Sequence, residues 1–118
     1  MIRRFGRISG PRSPSIHLGA VSAQLLSSCL VPGDCSGDVV HQTRQILDAF
    51  DSQLHQNGSG REKLMMAQVW LADIRDFPPF RTAWNAWILP DHPPALSIVR
   101  AAAARRDILV EIRIYAAP

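Results

Sequence analysis

Lysine is nearly missing from this chain: Lys63 stands alone among 13 basic residues, and the others are arginine. Cysteine is reduced to Cys29 and Cys35. Two such residues make no disulfide framework, and neither belongs to a paired CxxC metal motif. The four histidines, His17, His41, His55 and His92, show no HxxxH or HxH spacing, so no metal is expected. No stretch approaches the roughly 20 apolar residues that a membrane helix needs. The start, Met1-Ile2-Arg3-Arg4, is basic, but no apolar run of signal length follows it, so a cytoplasmic protein is expected. No Ser/His/Asp or Cys/His constellation suggests a nucleophile. Gly58-Ser59-Gly60 reads as a helix-ending turn, not a phosphate loop. No cofactor is expected.

What is present describes an ordinary globular chain. Its 118 residues suit one domain, spanning 1–118. Apolar residues make up 47% and charged residues 19%. The net charge is +3 and the isoelectric point about 9.5. Arg3, Arg4, Arg7 and Arg12 cluster at the start, and Arg105-Arg106 form a pair near the end. A basic start can bind phosphate backbones, and it can equally be a solvated edge.

Residues 1–15 are rich in Arg, Gly, Pro and Ser, which predicts a loop with a short strand near Ile2–Phe5. A hairpin is expected over Ile16–Ala20 and Gln24–Leu30, then a loop at Pro32-Gly33-Asp34. Val39, Thr43, Ile46, Leu47, Phe50 and Leu54 recur at helical spacing. Asp38 is placed to cap that helix, and Gly58 after Asn57 to end it. Lys63–Ala72 is apolar on both faces and reads as an interior strand. Pro78-Pro79 suits the first turn of a second helix, whose apolar face holds Phe80, Ala83, Trp84, Trp87 and Ile88. Ala95–Ala101 and Ile108–Ala116 read as the last strands. The order β-β-β-α-β-α-β-β predicts an α+β sandwich of about six strands with two helices on one face. The uncovered face still carries apolar residues, which implies burial against other subunits.

Several short stretches, in order and at fixed spacing, carry a resemblance. They are Gln42-Thr43-Arg44-Gln45-Ile46-Leu47, Gln68-Val69-Trp70-Leu71-Ala72-Asp73, Asp76-Phe77 and Trp84-Asn85-Ala86-Trp87. Pro93-Pro94-Ala95 and the ending Val110–Ala117 complete them. Together they resemble the RidA/YjgF family, also called L-PSP endoribonucleases, and most of all its YoaB-like branch. The resemblance implies a chorismate-mutase-like fold, a homotrimeric barrel with helices outside, and ligand clefts between subunits. Active members of the family resemble 2-iminoacid deaminases. In them an arginine after Pro-Ala holds the substrate carboxylate, and a glutamate on the last strand positions water.

Carried onto this chain, the arginine position is Leu96, and the glycine before Pro32 is Leu30. The asparagine of the second helix is Arg81, and the glutamate is kept as Glu111. The implied ligand cleft is Leu30, Arg81, Trp87, Leu96, Ser97 and Ile98, with Glu111 as the catalytic candidate. Leucine cannot bind a carboxylate, so the site is expected to be rebuilt for a small carboxylate or apolar metabolite, without standard deaminase chemistry. The alternative is an enamine or imine deaminase anchored by Arg81, or by Arg100. The plain readings are a surface residue for Arg81, core packing for Trp84 or Trp87, and a structural ion pair for Glu111 with Arg113 or a neighbouring subunit. A third reading is an RNA-cleaving enzyme, but no His pair or His/Lys set suited to that reaction is present, and no RNA binding is expected. Cys29 lies beside the cleft by family position and reads as a small buried hydrophobe.

Overall fold

The computed structural model describes all of residues 1–118. Six strands form one mixed sheet: β1 (Arg3–Gly10), β2 (Ser13–Val21), β3 (Leu26–Leu30), β4 (Leu64–Leu71), β5 (Ala95–Arg100) and β6 (Val110–Ala116). Their spatial order is β1-β2-β3-β6-β4-β5, with β4 and β5 parallel and all other pairs antiparallel. Two helices, α1 (Val39–Gln56) and α2 (Phe77–Trp87), pack on one face. The expected order of elements and α+β class are those observed. α2 is the crossover that parallel strands require.

The short strand expected near Ile2–Phe5 is present but longer, and the loop expected around it is instead half of a long hairpin. β1 and β2 pair from Arg3 opposite Val21 to Gly10 opposite Ser13, turning at Pro11-Arg12. The sequence hides this because Gly6 and Gly10 interrupt the alternation, and little of the hairpin is buried. Gly6 takes φ +69°, which only glycine adopts without strain. Gly19 lies opposite Phe5, whose ring covers it, and the Ser27 carbonyl oxygen would sit 2.8 Å from any added Cβ. Glycine is therefore required there by close packing.

α1 begins where Asp38 Oδ1 accepts a hydrogen bond from the His41 N–H at 2.9 Å. It ends in a Schellman motif. Gly58 adopts φ +72°, Ser59 N–H donates to Leu54 O at 2.8 Å, and Gly58 N–H donates to His55 O at 3.1 Å. Gln42 is fully buried in α1 and ties three segments together. Its Nε2 donates to Cys35 O at 3.2 Å and Asp107 O at 2.9 Å, and its Oε1 accepts from Leu109 N–H at 2.8 Å.

Core residues alternate cleanly on β6, where Val110, Ile112, Ile114 and Ala116 face the helices. On β4 the alternation slips. Leu64 and Ala67 are both buried, because the pairing with β6 shifts between Leu64 and Met66. This bulge turns Met65 outward. β4 is covered on one face only, and Met66 and Trp70 lie on the open side.

Candidate functional site

The register assigns each expected site residue to a face. One row across the sheet is Phe5–Gly19–Ser28–Ile114–Ala67–Leu96, and two residues on comes Leu30–Ile112–Val69–Ile98. Both rows face the helices. Between them runs Cys29–Arg113–Gln68–Ser97, and beyond them Glu111–Trp70–Val99, both on the open face. Leu96 and Ile98 are thus separated by the sheet from Ser97 and Glu111. Leu30 and Trp87 belong to the buried core, and Trp87 shows only an edge, to a recess between α1 and α2 on the side away from Leu96.

On the helix side, a groove of about 300 Å³ opens between α2 and the edge strand β5. Leu96 and Ile98 form one wall; Phe77, Trp84 and Ile88 form the other, with Pro93-Pro94 at the end. Arg81 lines its rim, and its guanidinium sits 5.6 Å from the centre of the Phe77 ring. Arg81 has no carboxylate partner. Arg100 stands elsewhere, at the end of β5 near Asp73; hydrogen bonds from Arg75 hold the Asp73 carboxyl below its usual range, and the Arg100 charge adds a smaller pull. Trp87 donates its indole N–H to Asp51 at 3.1 Å, and Arg61 lies over its ring. Both Trp84 and Trp87 are buried, so the packing role falls to each of them.

On the open face, Glu111 is half-buried and accepts a hydrogen bond from the Cys29 thiol, Sγ to Oε2 3.3 Å. Burial, then the hydrogen bond to Glu111 and its charge, push the Cys29 thiol up to about 12, against an opposing pull from Arg113. Glu111 and Arg113 form no ion pair; Arg113 instead donates to Ser27 Oγ at 2.8 Å. A second recess, of about 230 Å³, lies beside this bond, with Arg4 and His17 on its rim. Sequence reasoning missed both this recess and the wall residues Phe77 and Asn85 of the groove. Only the pairing of β1 with β2 brings Arg4 to Ser27, and no local pattern announces it.

An α+β sheet-and-helix protein with a groove along one sheet edge and a lone carboxylate on the other face is the class these features define. The chain belongs to the Endoribonuclease L-PSP family, whose model matches residues 21–118. A RutC family protein of Haemophilus ducreyi is 34% identical over 87 residues, 74% of each chain. The RutC family protein YoaB of Escherichia coli strain K12 is 34% identical over 87 residues, 74% of this chain and 76% of its own. A crystal structure of an uncharacterized protein from Pseudomonas aeruginosa superposes with TM-score 0.89 at 27% identity, covering 99% of this chain and 98% of that one. A member of the YjgF protein family from Neisseria meningitidis gives TM-score 0.86 at 30% identity, covering 99% and 94%.

Proposed function

We propose that this chain binds a small metabolite in a cleft completed by a second copy of itself, and that it lacks standard 2-iminoacid deaminase activity. The observation that carries this is Leu96. It lines the α2–β5 groove at the position where the family resemblance implies a carboxylate-binding arginine. A leucine there offers no donor, and its apolar wall favours a ligand with an apolar body. The separation of Leu96 from Glu111 within one chain supports assembly between copies. The groove opens at one sheet edge, and Glu111 lies on the face that a partner would cover. Three copies closing into a barrel would bury Met66, Trp70 and Val99 of the open face.

Arg81 favours one second reading, a deaminase of altered specificity. Its guanidinium shares the groove with Leu96 and has no anionic partner, so it could hold a carboxylate from the helix side. Glu111 would then orient the attacking water, as hydrolysis of an imine requires. Hydrolysis of 2-iminoacids, generated in place by an amino-acid oxidase, separates the two. The main reading predicts release of ammonia at the uncatalysed rate. Faster release that is lost in Arg81→Ala establishes the second.

A further inference from the structure

The recess on the open face is lined on its polar side by Arg4, His17, Ser27 and Arg113. Arg113 is half-buried, and of its five N–H donors one is used, toward Ser27 Oγ. A guanidinium withdrawn from water without an anion is costly, because neutral hydroxyls replace its hydration poorly. Arg4 approaches from the hairpin: it pairs with Ala20, which pairs with Ser27, so these three residues share a row on one face. The small side of the recess, Gly19 and Ala20, leaves room between the cations.

No carboxylate in the chain answers this charge. The first 33 residues contain no Asp or Glu at all. Glu111, the acid nearest in sequence to Arg113, accepts the Cys29 thiol and makes no ion pair with Arg113. Arg4 and His17 come from the β1–β2 hairpin, which supplies most of the recess lining.

We infer that this recess binds an oxyanion, a phosphate or carboxylate group, through the Arg4 and Arg113 guanidiniums, with Ser27 holding Arg113 in place. Two guanidiniums lining one small space can make charge-assisted hydrogen bonds to an oxyanion and offer nothing to a cation. The site is separate from the α2–β5 groove and does not depend on what that groove binds.

The test is calorimetric titration of the purified full chain with inorganic phosphate and, in parallel, with succinate. The parallel arms tell which oxyanion the recess takes. Saturable binding is expected for at least one probe. Its Kd should rise about tenfold or more in Arg4→Gln and in Arg113→Gln, and stay unchanged in Arg12→Gln at the hairpin turn. Arg4→Lys, which keeps the charge on an exposed position, should fall between Arg4→Gln and the unaltered chain. Absence of saturable binding would overturn the inference, including the case in which a second copy fills the recess. So would an equal loss in Arg12→Gln, which would reveal diffuse charge and no site.

Discussion

Gln42 and Cys29 show how single side chains divide between architecture and chemistry. Gln42 belongs to the stretch that carries the family resemblance, yet it faces no cleft. Its amide joins α1 to the Cys35 loop and to the approach to β6. Gln42→Leu keeps the volume but leaves two carbonyls and one N–H without partners. That should cost about 2–4 kcal/mol, read as a lower urea midpoint with an unchanged slope. Cys29 is the opposite case, a thiol whose protonation is set by its neighbours. Its folded value near 12 lies above the ordinary 9.0, so its contribution to stability is complete below about pH 9 and is lost as pH climbs toward 12. Iodoacetamide at pH 8 should therefore leave Cys29 unmodified in the folded chain and modify it readily in denaturant. Rapid folded-state labelling of Cys29 would refute the burial and the Glu111 contact together.

At the scale of elements, α1, α2 and β6 could be read along the chain because each carries its own period. Asp38, Gly58 and Pro78-Pro79 mark the helix ends by chemistry that acts within a few residues. Where the determinant is remote, reading failed. The β1–β2 hairpin depends on Phe5 meeting Gly19, and the slip in β4 depends on its pairing with β6. The site divides in the same way. Leu96 and Arg81 share a groove, but consecutive strand residues point to opposite faces, so Ser97 and Glu111 could never join them within one subunit. Two glycine substitutions test the elements. Gly19→Ala forces a methyl group against the Phe5 ring and the Ser27 carbonyl, and should lower stability by about 1–3 kcal/mol. Gly58→Ala meets open space and should lose only the cost of its positive φ, about 1 kcal/mol. Thermal unfolding should rank Gly19→Ala as the more damaging of the two.

For the whole molecule, two sheet edges and one sheet face lack cover. β1 and β5 end the sheet with unpaired backbone, and the open face presents Met66, half-buried Trp70 and Val99. Sedimentation of the chain should report a trimer, and Met66→Glu, placing a charge on that face, should shift it toward monomer. The rebuilt cleft is the central claim, and Leu96 is where it meets chemistry. The most direct measurement compares 2-iminoacid hydrolysis by the unaltered chain and by Leu96→Arg under identical conditions. The unaltered chain should release ammonia no faster than the uncatalysed reaction, and Leu96→Arg should exceed it, because the new guanidinium supplies the missing carboxylate anchor. Turnover by the unaltered chain equal to or above that of Leu96→Arg would contradict the account.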